Sequence, residues 1–167
     1  MASNSVVTRK TDFVECQGSG GPHRVFYTVY TPPNGAPRKQ YPVLCVHALT
    51  RNQTDFSSLA RKLAEHGHEV ATVDVVGRGR SDYAKDAKDY NPVSYSKDMA
   101  TVLDHLGWDK IHWIGTSMGG IIAMIFASQH QRIQGLILND VGPYVSAEAV
   151  KIIGSYLRKQ KVGLLPL

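Results

Sequence analysis

Two apolar patterns take turns along the chain. One is a short unbroken apolar run, the mark of a strand buried on both faces; the other repeats every three or four positions, the inward stripe of a helix. Residues 13–16 and 25–30 read as two strands joined through the Gly-rich turn at 18–22. Residues 31–37 (Thr-Pro-Pro-Asn-Gly-Ala-Pro) cannot continue a ladder and predict a loop. Residues 43–47 (Val-Leu-Cys-Val-His) predict a third strand. Phe56, Leu59, Ala60 and Leu63 then recur at helical spacing, with Gly67 placed to end that helix. A fourth strand is expected over 70–76, followed by a turn-rich stretch from Gly77 to Asn91. Pro92 suits the first turn of a helix whose stripe is Tyr95, Met99, Val102, Leu103 and Leu106, closed by Gly107. A strand over 111–115, a helix over 118–130 and a strand over 136–139 follow. Ser146 can cap a last helix with Val150, Ile153, Tyr156 and Leu157 on one face.

Strands alternating with helices of this length imply βαβ units, right-handed crossovers and a mainly parallel sheet flanked by helices, an α/β fold. No internal repeat, low-complexity tract or dividing linker interrupts the pattern, so residues 1–167 read as a single domain. Composition agrees: 43% of the 167 residues are hydrophobic and 20% charged, as in an ordinary soluble globular protein. There is no apolar run long enough to span a bilayer and no secretory h-region, and Cys16 and Cys45 read as buried reduced thiols, so a cytoplasmic protein is expected. A net charge of +5 raises nucleic acid as a partner. The basic residues argue against it, because Arg78, Arg80, Lys85 and Lys88 alternate with Asp82, Asp86 and Asp89. Only Arg158, Lys159 and Lys161 cluster without acids, at a helix end that favours cations.

The chemistry is concentrated in Gly115-Thr116-Ser117-Met118-Gly119, between an apolar strand and a helix. A turn this tight strains the serine backbone and lifts its hydroxyl above the sheet. Glycines two residues to either side are needed because a Cβ there would strike the adjoining strand or helix. The serine also opens a helix, whose free N–H groups favour a developing oxyanion. The five-residue string is weak evidence alone; its strand–turn–helix context gives it weight.

With these residues the chain resembles the α/β-hydrolase superfamily, in its lipase and esterase-like branch, from about Phe13 to Val150. Three further loops carry the resemblance: His47-Ala48-Leu49-Thr50-Arg51, residues 74–82 (Asp-Val-Val-Gly-Arg-Gly-Arg-Ser-Asp), and residues 138–143 (Leu-Asn-Asp-Val-Gly-Pro). The resemblance implies strand order 1-2-4-3-5-6 and Ser117 as nucleophile. It implies oxyanion-hole N–H groups at Leu49 and Met118, and a triad acid at Asp140 or one strand later. Where the family usually has His-Gly this chain has His47-Ala48, which carries a steric penalty if that position needs positive φ. His47 is expected to shape the oxyanion loop rather than act as base, and residues 77–81 to form a turn rather than a phosphate loop.

A serine nucleophile points to acyl transfer, with ester hydrolysis first and a small-molecule acyl (ester) substrate. No cofactor and no metal are expected; His66, His68, His105 and His112 lack metal-ligand pairing. The family's histidine follows its last strand, and after Ser117 this chain has only His130, about 20 Å along the same helix. The expectation is therefore an α/β-hydrolase fold truncated after about six strands, with residues 144–167 starting a cap or lid helix. Such a chain is expected to be inactive alone. The alternative is a non-catalytic module that self-associates through the open edge of its sheet.

Overall fold

The structure, a computed structural model, describes residues 6–144, 146–148, 151, 152 and 155. A hairpin of β1 (Thr8–Gly18) and β2 (Gly21–Thr31) leads into β3 (Val43–Val46), α1 (Ser57–Glu65) and β4 (Val70–Val73). Then come α2 (Pro92–Leu106), β5 (Ile111–Thr116), α3 (Met118–Gln129) and β6 (Ile133–Asn139). The six strands form one sheet in the order β1-β2-β4-β3-β5-β6, as the resemblance implied. β3, β4, β5 and β6 run parallel, while β2 is antiparallel to both β1 and β4.

Alternation along the short strands separates two apolar layers. Leu44 and Val46 pack with Val73, Trp113, Met99, Val102 and Phe126 on the face covered by α2 and α3. Val43 and Cys45 pack with Val70, Phe56, Ala60 and Ala64 on the face covered by α1. Both layers are needed to bury β3, which is apolar at every position, and such a run reads as a strand of a parallel sheet.

The helix punctuation follows from side-chain chemistry. Asn91 accepts from the N–H groups of Val93 (2.9 Å) and Ser94 (3.0 Å), Pro92 stands at the first helical position, and Gly107 closes α2 at φ +70°. A cap of this kind contributes about 1 kcal/mol.

The hairpin is longer than the apolar pattern, eleven residues per strand, because the ladder from Thr8↔Thr31 to Gly18↔Gly21 needs only backbone groups. β4 is shorter than its apolar run: Val75 and Val76 are buried, but in the turn beyond the strand. The helix expected after Ser146 is described at 147, 148, 151, 152 and 155. Its expected apolar positions Val150, Ile153, Tyr156 and Leu157, and Arg158, Lys159 and Lys161, lie outside the described residues.

Candidate active site

The parallel strands end on one side, so the segments after β3, β4, β5 and β6 gather there. Ser117 occupies the turn between β5 and α3 at φ 49°, ψ −110°. Ser117 and Asp140 are the two non-glycine residues with positive φ among those described. Such a backbone costs about 1–3 kcal/mol and persists only where its surroundings enforce it. Here the Ser117 N–H donates to the Asn139 carbonyl at 2.8 Å, and its own carbonyl accepts from Gly120 (2.9 Å) and Ile121 (3.1 Å).

Close packing supplies the rest. A Cβ on Gly115 would lie 2.5 Å from the Gly119 carbonyl carbon, and one on Gly119 would lie 2.0 Å from the Val46 carbonyl oxygen. The first turn of α3 therefore rests directly on β5 and on the end of β3. That contact brings the Ala48–Arg51 turn, closed by Arg51 N–H donating to the Ala48 carbonyl at 3.1 Å, beside the serine. Ala48 is not among the positive-φ residues, so the steric penalty considered for it does not arise.

Met118 is buried at the head of α3 and Leu49 is 39% exposed on its turn. Arg78 spans the two: its Nε donates to the Leu49 carbonyl at 3.2 Å and its Nη2 lies 4.0 Å from Met118 Sδ. Its Nη1 donates to the Val76 carbonyl and the Tyr95 hydroxyl, both at 2.9 Å. The loop bearing Arg78 is wrapped around Asp74, whose buried carboxylate accepts from the N–H groups of Gln53 (2.8 Å) and Arg80 (2.9 Å). A Cβ on Gly79 would lie 2.3 Å from that carboxyl. The loop's interior is filled by the protein's own anion, so it is a turn and not a phosphate cradle.

Asp140 directly follows the residue that binds the Ser117 N–H, and it is exposed. His47 is fully buried and committed at both nitrogens. Nε2 accepts from the Val75 N–H at 3.0 Å, which leaves the proton on Nδ1 to be donated to the Ala48 carbonyl at 2.7 Å. It ties the turn after β3 to the end of β4. The bridging role of Arg78 carried no signal in the sequence beyond its place in a Gly-rich turn.

This arrangement of strands and loops has known counterparts. Residues 41–158 match the alpha/beta hydrolase fold family. The chain belongs to that family. A 3-hydroxybutyrate-oligomer hydrolase of Cupriavidus necator is 40% identical over 146 residues, 87% of this chain and 48% of the relative. A crystallised α/β hydrolase from Novosphingobium aromaticivorans is 36% identical with a TM-score of 0.73, covering 93% of this chain and 51% of that one. A thermophilic esterase from Thermogutta terrifontis is 26% identical with a TM-score of 0.73, covering 91% of this chain and 55% of the other. The chain thus spans about half the length of these relatives.

In this α/β hydrolase the surface cavity of about 580 Å³ lined by Arg38, Tyr41, Trp108 and Lys110 opens at the starts of β3 and β5, the end of the sheet opposite Ser117. It is no acyl pocket for this serine. No helix among the described residues is long and apolar enough to cross a membrane.

The burial of His47 has a consequence in solution. Desolvation holds its pKa below the ordinary 6.5, partly opposed by its bond to Ala48 and by Asp74. The unfolded chain then binds the proton more tightly than the folded one. Stability from this residue is complete above about pH 6.5 and is lost as pH falls, at up to about 1.4 kcal/mol per pH unit. Asp98, raised by burial, acts in the opposite sense, so the difference between wild type and His47→Gln is the quantity to read. Thermal melting from pH 7.5 to 5.0 is expected to fall more steeply for wild type; parallel curves would refute the assignment.

Proposed function

We propose that the protein is a serine hydrolase that cleaves carboxylic esters through an acyl-enzyme on Ser117. The observation that carries this reading is the serine's enforced positive φ between β5 and the head of α3, with the side chain not buried. The Ser117 oxygen attacks the ester carbonyl carbon, and the carbonyl π-electrons move onto oxygen. That oxyanion is received by the N–H groups of Leu49 and Met118, donors of a kind worth about 3 kcal/mol each. Collapse expels the alcohol, which takes the serine proton through a general base, and water then frees the acid. Asp140, at the mouth of the same loop cluster, is the proposed acid behind that base.

The base itself we place in the part of the longer relatives that this chain does not cover. The Cupriavidus relative is named for hydrolysis of 3-hydroxybutyrate oligomers, and short hydroxyacid esters are the substrate class carried over from it. No cofactor enters this chemistry. Cys16 and Cys45, both buried free thiols, fit the reducing cytoplasm in which we place the protein.

A second reading rests on β6, which is hydrogen-bonded on one side to β5 and exposes Leu136 (37%) and Ile137 (57%). An apolar sheet edge of this kind pairs readily with a second copy. One experiment separates the two. The chain is fused to the C-terminal half of a histidine-bearing relative, mixed with an activated ester and quenched in acid for mass spectrometry. The acyl group is expected on the peptide containing Ser117. An acyl group on another residue sinks the proposal. No adduct, together with a dimer that Ile137→Lys dissociates, favours the second reading.

A further inference from the structure

Cys16, His23 and Asp98 are distant in sequence and adjacent in space. The hairpin places Cys16 opposite His23, and α2 lays Asp98 against both. His23 Nε2 is 3.0 Å from Asp98 Oδ2, and Cys16 Sγ is 3.9 Å from the Asp98 carbonyl oxygen. One sulfur, one nitrogen and one oxygen from the three side chains all lie within 4.8 Å of one another. The residues are 1%, 5% and 3% exposed.

As a plain packing cluster this arrangement is incomplete. The His23–Asp98 pair uses Nε2 and one carboxylate oxygen, but buried Nδ1 has no hydrogen-bond partner. Burial raises the Asp98 pKa, and burial together with Asp98 pushes the Cys16 thiol well above its ordinary range. A buried ring nitrogen, a buried carboxylate and a buried thiol within 4.8 Å of one another form an arrangement that a dication would stabilise.

We propose that Cys16, His23 and Asp98 form a binding site for a divalent metal ion of the zinc type. The mixed sulfur, nitrogen and oxygen donor set suits zinc and not calcium or magnesium, which take oxygen. A tetrahedral ion with bonds of about 2.0–2.3 Å sets its donors roughly 3.5 Å apart, within reach of this cluster by small side-chain rotations. Binding replaces the thiol S–H bond with a metal–sulfur bond and releases one proton to solvent. His23 and Asp98 also line a surface cavity of about 420 Å³ with Ser19, Lys88 and Asp89 among others, which gives an ion an entry path. β4 and β3 stand between β2 and β5, so the site is about 14 Å or more from the strand carrying Ser117. It would staple the hairpin to α2.

The test is a titration of the full 167-residue chain, freed of metal with a chelator, using Co²⁺ and then Zn²⁺. One equivalent of Co²⁺ is expected to bind with a near-ultraviolet thiolate-to-cobalt band, to release one proton, and to be displaced by Zn²⁺. Cys16→Ser should remove the band and weaken Zn²⁺ by about a hundredfold or more. His23→Gln, whose amide can still reach Asp98, should weaken it likewise. Cys45→Ser, altering a thiol in the α1-side layer, should leave band and affinity intact. Absence of stoichiometric binding in wild type, a band that survives Cys16→Ser, or a band lost in a folded Cys45→Ser protein overturns the proposal.

Discussion

Purified as its 167 residues, the chain is expected to hydrolyse an activated ester about a million-fold more slowly than an ordinary serine esterase. A turnover of roughly 10 per second becomes about one event per day. The reason is the placement of its seven histidines, all of them described. His47 has both nitrogens occupied within the fold. His23 is paired with Asp98, and His105 with the Tyr27 hydroxyl at 3.0 Å. His66 and His68 turn Nδ1 toward the Lys62 and Tyr41 carbonyls. His112 stands five residues before Ser117 along β5, roughly 16 Å away, and His130 caps the far end of α3 at about 20 Å. A proton transfer needs about 3 Å. Steady-state kinetics on p-nitrophenyl acetate, with Ser117→Ala beside wild type, checks this. Ordinary esterase turnover that disappears in the variant would mean that a histidine of this chain serves as base.

Gly119→Ala is expected to lower stability by about 2 kcal/mol or more, a fall of about 5 °C or more in the melting midpoint. Helix propensity alone predicts the reverse, since alanine in a helix is favoured over glycine by about 1 kcal/mol. Sterics decide. The new Cβ would lie 2.0 Å from the Val46 carbonyl oxygen and 2.6 Å from its carbon, and neither is the end of a flexible side chain. α3 must lift off β3, which carries Met118 away from the Leu49 turn. Gly142→Ala, with nothing within 4 Å of its Cβ, is the control and should leave the midpoint unchanged. Equal midpoints for the two variants would refute the packing argument.

The fold was largely legible because its signals are local. Short, mostly apolar runs marked β3, β4 and β5, and Asn91-Pro92 with Gly107 bounded α2 to the residue. The Ser117 turn was legible for the same reason: glycines at 115 and 119 are required by backbone contacts within a few residues and by the strand beneath. What escaped depends on long-range contact. The outer parts of the hairpin, residues 8–12 and 17–18 of β1 and 21–24 of β2, are held by a backbone ladder and have no apolar signature. Arg78 links the Leu49 turn, Tyr95 and Met118, each 17 to 40 residues away. His23 and Cys16 meet Asp98 across 75 and 82 residues, so no spacing rule could pair them.

The central proposal is that Ser117 is the nucleophile and that its base belongs to the part of the longer relatives that these residues do not cover. The measurement that tests it most directly is activated-ester turnover before and after the chain is fused to a histidine-bearing C-terminal half, each with and without Ser117→Ala. The account predicts near-zero turnover for the chain alone, a gain of many orders of magnitude on fusion, and loss of that gain in the serine variant. A gain that persists in Ser117→Ala would contradict it.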